Sequence, residues 1–406
     1  MIKKIQSQQL RIGMYVHALS QNWAAHPFLR NRFRITSDAE IQKIIEAGIT
    51  DLEIDTVKGP DVVKEAARES VMTAPVAKDA AAPIPAGAIS FAEEIVRARL
   101  LKDQALHLVR DLMRDARLGK IIELERAQPV VQEIIASITR NSSALLALLQ
   151  IRNKDDYTFL HSVGVCALLA AFCHSLGMQP KLIYQAALGG LVHDIGKSLV
   201  PDAILNKPGR LTEAEFDVIK HHPQEGHAIL SAIPGIGPIP LDITLRHHER
   251  LDGNGYPGKL QGDAISELAQ IAAIVDVYDA ITAERCYHQA LSPASALGKL
   301  HEWSKTQYSA RLVQAFIRCI GIYPSGSLVL LQSGRLGVVT QQHEDNLLNP
   351  TVNVFFSTRS NTYIPPQVVD LSKSCGSGAG EKILRAEPPE RWGVDPLRFL
   401  EITENE

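Results

Sequence analysis

The sequence lacks what several common protein classes require. No stretch approaches the roughly 18 uninterrupted apolar residues of a membrane span. The opening run Met1-Ile2-Lys3-Lys4-Ile5-Gln6 carries two lysines but no apolar segment of the secretory kind. Five cysteines, at 166, 173, 286, 319 and 375, are an odd count at spacings of neither a disulfide framework nor a zinc module. That scarcity suits a reducing compartment, and the expectation is a cytoplasmic protein with no membrane span. There is no excess of positive charge either: 42 basic and 45 acidic residues leave a formal net charge of -3. Duplex nucleic acid is therefore not an expected partner, because such binding rests on a basic face that neutralises phosphates. A nucleotide needs only a local positive site. The short N-terminal region also lacks the alternating βα units and acidic strand ends of a phosphorylation receiver.

What is present suggests two or three domains in 406 residues. Residues 1–60 combine short β-type runs, Met14 to His17 and Leu52 to Asp55, with a helical segment from Asp38 to Ala47 that Gly48 closes. This predicts a small α+β domain of sensory or regulatory kind. Residues 61–89 are rich in Ala and Pro, a composition that suits an extended tether. Connecting helices are expected over 90–145: one from Phe91 to about Leu118, with apolar positions at Ile95, Ala98, Ala105, Leu108 and Leu112, and a second from Pro129 to about Arg140. They could pair in a homodimer or pack on the domain that follows. A helical domain is expected over 146–320, with helical patterns dominant from Asp156 to about Lys305 and loops at Pro201 to Leu211, Pro234 to Pro240 and Leu251 to Gly262. Over 321–406 the character turns to strand, with Leu328 to Leu331, Leu336 to Thr340 and Thr351 to Phe356 as the clearest runs. The fold class expected is mainly α, with a small α+β domain before it and a short β-rich tail after it.

Eight of the fourteen histidines fall between His161 and His248, beside carboxylates that helices could bring together. His193-Asp194-Ile195-Gly196-Lys197 ends an apolar helix, Ala186 to Val192. It offers a nitrogen ligand, a carboxylate whose two oxygens can bridge two ions, and a cation for a phosphate oxygen. His161 opens a long apolar run and is placed to face inward, as a ligand or as a satisfied core histidine. His247 and His248 are adjacent, so on a helix they point about 100° apart and could serve two ions, or one ion and a substrate. The glycines of Leu251-Asp252-Gly253-Asn254-Gly255-Tyr256-Pro257 mark a tight loop whose amides can approach an anion. Asp276 lies in an apolar helix, Leu268 to Ile281, where a buried carboxylate needs a partner such as a metal. Asp279 could instead tie helix to helix or orient a ligand histidine.

His193-Asp194-Ile195-Gly196-Lys197 and His247-His248-Glu249-Arg250-Leu251-Asp252-Gly253-Asn254-Gly255-Tyr256-Pro257, in this order and about fifty residues apart, resemble the two signatures of the HD-GYP family. Further matches are Asp156-x-Thr158-x-x-His161-Ser162, the stretch from Pro201 to Thr212, His222-Pro223-x-x-Gly226 and Asp276-x-x-Asp279-Ala280. The first sixty residues resemble an uncharacterised domain often found ahead of HD-GYP domains. The resemblance implies an all-helical HD-type phosphohydrolase domain that hydrolyses cyclic di-GMP to pGpG or GMP with iron or manganese. Carried over position by position, it makes His161, His193, Asp194, His222, His247, His248 and Asp276 metal ligands, Asp194 bridging and catalytic together with Lys197. Lys197, Arg250, Gly255, Tyr256, Pro257 and Arg285 become substrate contacts, and His221 a bystander. Tyr157 stands where three-metal members carry a glutamate, which favours two ions. Cys286-Tyr287-His288 departs from the usual Pro-Tyr-basic run after Arg285, which weakens a phosphate contact from residue 288 or makes it pH-dependent. Cyclic di-GMP is the implied partner, and the Gly-Tyr-Pro loop could also meet proteins such as diguanylate cyclases. Two other readings stay open on the sequence: a receptor that binds cyclic di-GMP without cutting it, and a hydrolase of another cyclic dinucleotide such as cyclic GMP-AMP.

Overall fold

The computed structural model describes residues 2–7, 10, 13–19, 33–35, 41, 44, 51–56, 58, 89–150, 157–283, 290–343, 346–373 and 380–400. The chain divides into two compact units, Met1–Asp79 and Ala80–Glu406. In the first, β1 (Ile2–Gln6), β2 (Tyr15–Leu19), β3 (Phe33–Arg34) and β4 (Asp51–Asp55) form an antiparallel sheet in the order β1-β4-β2-β3. In β4 the period of two is visible directly, since Leu52 and Ile54 are buried while Glu53 and Asp55 are partly exposed. These two meet Ile5, Met14, Val16, Ile35 and Ile44 in a small core. Of the helix expected from Asp38 to Ala47, Ile41 and Ile44 are helical and the rest lies outside the described residues, as does most of the Ala/Pro segment.

The second unit is mainly helical, with the connecting helices built into it. Helix α1 (Phe91–Arg117) starts in a capping box: the Ser90 hydroxyl accepts from the Glu93 amide while the Glu93 carboxylate accepts from the Ser90 amide. Helix α2 (Ala127–Gln150) begins ahead of Pro129 and breaks at Asn141, whose backbone is extended. The Asn141 amide oxygen accepts from the Ser143 and Ala144 amides and so restarts the helix, while its NH2 donates to the Ile89 carbonyl. Arg140 binds both oxygens of the fully buried Glu94, at 2.8 and 2.9 Å, locking α1 to α2. Both helices pack on α3 (Tyr157–Ser175), which buries most of their apolar residues, while Val96 and Leu100 of α1 stay exposed.

Helix α4 (Pro180–Val192) approaches its neighbours through two glycines. A Cβ at Gly190 would stand 2.7 Å from Leu169 and 3.1 Å from the Cys166 backbone, and one at Gly189 would stand 2.9 Å from Ile243 of α8 (Pro238–Arg246). Short helices α5 (Asp202–Leu205) and α6 (Glu213–Ile219) occupy the region after Pro201, followed by α7 (His222–Ser231). Helix α9 (Glu267–Thr282) packs on α3, α8 and α10 (Pro293–Trp303), and α11 (Ala310–Ile320) completes the bundle.

The last strands, β5 (Leu328–Leu331), β6 (Arg335–Gln341), β7 (Thr351–Ser357), β8 (Thr362–Asp370) and β9 (Ile383–Ala386), form an antiparallel sheet ordered β8-β7-β6-β5-β9. Its two faces are both apolar. Leu328, Leu330, Leu336 and Val338 join the helical core, whereas Val329, Leu331, Val339, Val352 and Val354 build a separate cluster on the other face.

Candidate metal centre

Five segments bring their polar residues to one point. His161 comes from the first turns of α3, His193 and Asp194 from the end of α4, His222 from the start of α7, His247 and His248 from the end of α8, and Asp276 from the middle of α9. Their ligand atoms form two adjoining groups, His161 with His193 and Asp276, and Asp194 with His222, His247 and His248. Asp194 spans them. Its Oδ2 lies 3.3 Å from His193 Nε2 and 3.6 Å from His161 Nε2, while its Oδ1 lies 3.2 Å from His222 Nε2 and 3.8 Å from His247 Nε2. Asp276 spans them as well, with Oδ1 at 3.0 Å from His161 Nε2 and Oδ2 at 3.5 Å from His248 Nδ1.

The backs of the rings decide which nitrogen is free for a metal. The Nδ1–H groups of His193, His222 and His247 donate to the carbonyls of Gly190, Ile219 and Thr244 at 2.7, 2.7 and 2.9 Å. A carbonyl oxygen only accepts, so each Nδ1 must carry a proton and each Nε2 faces the centre, offering a lone pair to a metal wherever it is unprotonated. His161 is oriented by Asp279, whose Oδ2 accepts from Nδ1 at 2.6 Å. Of the two roles open to Asp279, the geometry supports the tie to a histidine of the cluster. Lone pairs aimed at carboxylate oxygens repel unless a cation lies between them. Consistent with that need, buried Asp194 Oδ1 and His193 Nε2 have no hydrogen-bond partner. The donor set of imidazole nitrogens and carboxylate oxygens fits a divalent ion.

Charge follows the same logic. Burial alone would raise the Asp194 and Asp276 carboxyls, but His193 and Lys197 at Asp194, and His161 and His193 at Asp276, hold both well below the usual range. Burial pushes the His222 and His248 imidazoles down, and takes His247 to about 3 with help from the neighbouring His193 charge. These rings are neutral at pH 7, the form that binds metal. At His193, burial is outweighed by Asp194 and Asp276, which raise it to about 10, so a proton and a metal ion compete for its Nε2.

Lys197 sits on the one-turn 3-10 helix Ile195–Leu199, with its ammonium 2.5 Å from Asp194 Oδ2. Gly196 lets this turn press on α7, because a Cβ there would lie 2.0 Å from the His222 carbonyl oxygen. The Gly-Tyr-Pro loop roofs the other side. The Tyr256 ring lies over His248 with centroids 4.6 Å apart, and Gly255 passes so close to the chain that a Cβ would stand 2.4 Å from the Arg250 nitrogen. Pro257 follows through a cis peptide bond. Arg250 is exposed, and its charge acts on Tyr256 and Tyr308. His221 is exposed too, and its Nδ1–H donates to the Asp217 carbonyl. Arg285 and residues 286–288 lie outside the described residues, as does the Tyr157 side chain.

One residue that sequence reasoning passed over organises the loop. Glu249, directly after the histidine pair and 2% exposed, accepts the Gly258 amide at 2.6 Å and the Leu260 amide at 3.0 Å. The available signal was an acidic residue next to two candidate ligands, but its partners lie nine and eleven residues ahead in an irregular loop.

Comparison with known proteins agrees with this geometry. Residues 2–127 match a domain of unknown function (DUF3391), and residues 129–312 match the HD domain. A cyclic di-GMP phosphodiesterase of Pseudomonas aeruginosa is 44% identical over 398 residues, covering 98% of this chain and 95% of that protein. This chain is a member of the HD-GYP family. A cyclic di-GMP phosphodiesterase response regulator of Xanthomonas campestris is 33% identical over 248 residues, 58% of this chain and 63% of that protein. A 3'3'-cGAMP-specific phosphodiesterase of Vibrio cholerae is 35% identical over 178 residues, 44% of this chain and 41% of that protein. As an HD-GYP member, the chain has a helical HD domain with a His/Asp cluster able to hold divalent metal. No helix among the described residues is long and apolar enough to cross a membrane.

Proposed function

We propose that this HD-GYP protein is a metal-dependent phosphodiesterase that hydrolyses cyclic di-GMP to pGpG or GMP and so lowers the level of that messenger. The observation that carries the proposal is the pair of adjoining ligand groups joined by Asp194, with histidine lone pairs fixed inward by bonds at the backs of the rings. Near full-length similarity to a cyclic di-GMP phosphodiesterase supports the substrate. His161, His193 and Asp276 would hold one iron or manganese ion and Asp194, His222, His247 and His248 a second, with Asp194 shared. Ions of this kind, when bound, neutralise phosphate charge and acidify water.

The chain's own groups do the rest. Lys197 places a positive charge beside Asp194, where charge gathers on a reacting phosphate. The ring of Tyr256 covers His248 and narrows access for water. Gly255, Pro257 and the exposed Arg250 line the rim where the rest of a dinucleotide would lie, and Arg285 is the sequence-level candidate for a second phosphate contact.

The test is chromatography of products from cyclic di-GMP, using the full chain purified without oxygen and loaded with iron or manganese, beside Asp194→Ala. Release of pGpG or GMP that the variant abolishes, together with its bound metal, is expected. Turnover and metal content unchanged in the variant would remove Asp194 from the centre. The cGAMP-specific Vibrio relative makes 3'3'-cGAMP the parallel substrate, and faster cleavage of it would reassign the preference.

A further inference from the structure

The turn that carries Lys197 is gripped from two sides. On one side Gly196 lies against α7, close to the His222 carbonyl and the Gly226 amide. On the other is Arg117, the last residue of α1 and 81 positions earlier in the chain. Its Nε–H donates to the Ser198 carbonyl at 3.0 Å, and its two terminal nitrogens donate to the two carboxylate oxygens of Asp202 at 3.0 and 2.9 Å. Ser198 follows Lys197 directly and is buried. The turn is thereby tied on both flanks of the lysine: by Arg117 at Ser198 and Asp202, and by its own bond from the Lys197 amide to the Asp194 carbonyl. Three donors fixed in one plane, two of them a parallel pair on one carboxylate, are a geometry that guanidinium supplies and ammonium does not.

The bland reading is that Arg117 merely finishes α1, where a cation suits the helix end. The arrangement favours more than that. Arg117 and Asp202 are 45% and 63% exposed at the side chain, and an ion pair so open to water contributes little to stability. What the contact fixes is position. We infer that Arg117 is a positioning residue for Lys197: it holds the 195–199 turn so that the ammonium stays beside Asp194, a role that rests on the phosphodiesterase reading for its catalytic consequence.

Two measurements on the full, metal-loaded chain test this. Hydrogen–deuterium exchange at the amides of residues 195–200 should quicken by about tenfold in Arg117→Ala, and by less in Arg117→Lys, while the thermal midpoint barely moves. Unchanged exchange overturns the inference whatever the substrate proves to be. A double-mutant cycle on cyclic di-GMP hydrolysis then separates positioning from general support: Arg117→Ala should lower kcat about tenfold with little change in KM when Lys197 is present, and less than about twofold in a Lys197→Ala background. Equal losses in both backgrounds overturn it. If the unmodified chain cuts no cyclic di-GMP, the functional reading fails on its own, and the exchange experiment still decides the clamp.

Discussion

Lys197 and Glu249 illustrate two kinds of contribution next to a metal cluster. The ammonium of Lys197 touches a cluster carboxylate but leaves the histidine lone pairs alone, so Lys197→Ala should retain metal by elemental analysis while kcat falls on the order of a hundredfold. Glu249 faces away from the cluster, and both its oxygens are spent on loop amides. Glu249→Gln keeps one acceptor and turns an NH2 towards an N–H. Metal content should again be unchanged, but kcat/KM should drop by about tenfold as the Tyr256 loop loosens, and a steady-state titration with cyclic di-GMP would read it. At this scale the sequence was uneven in what it disclosed. His193, Asp194, His247 and His248 stand in contiguous strings dense enough to be noticed from chemistry alone. His161 and Asp276 are single residues in apolar helical runs, noticed from chemistry but with other partners left open, and resemblance to a family picked them out as ligands together with His222. Glu249 and Arg117 were not legible, because what defines each is a partner supplied by the fold.

Among the elements, helices were readable and edges were not. The 3.6-residue pattern of Phe91 to Leu118 matches α1 to within a residue, because the helix is long, capped and amphipathic. The second connecting helix runs ten residues past Arg140, since the Asn141 side chain restarts it after a break that periodicity alone reads as an end. Strand β8 escaped notice because Pro365 and Pro366 interrupt it, and it tolerates them by lying at the edge of the sheet with a register shift opposite Phe355. The contact that most firmly joins two elements is also hidden from sequence. Glu94 is fully buried and both of its oxygens bind Arg140. Glu94→Ala leaves the Arg140 guanidinium with Glu133 alone, whose oxygen accepts from it at 2.8 Å, so the loss should stay below the roughly 3–5 kcal/mol of a fully unpaired buried charge; urea unfolding should show it as a lower midpoint.

Over the whole molecule, the cluster joins segments from α3 to α9 that are more than a hundred residues apart, so a bound ion acts as a cross-link present only in the folded state. Metal at about 100 times its dissociation constant adds roughly 2.7 kcal/mol to the folded form. Chelation should therefore lower the thermal midpoint by roughly 4 °C, recoverable with manganese; a midpoint indifferent to chelator would mean that the cluster holds no ion under those conditions. The connecting helices and one face of the final sheet share a core with the HD domain. Ile89 is pinned at its carbonyl by Asn141 and at its amide by the Arg140 carbonyl, and Ser90 and Glu93 close their own cap immediately afterwards. The first helix of this unit thus carries its own cap from Ile89 onward. For protein engineering this makes the bond before Ile89 a natural splice point: a foreign input module ending there inherits an intact start, whereas a fusion made a few residues later, past Glu94, would discard the cap and the buried carboxylate together.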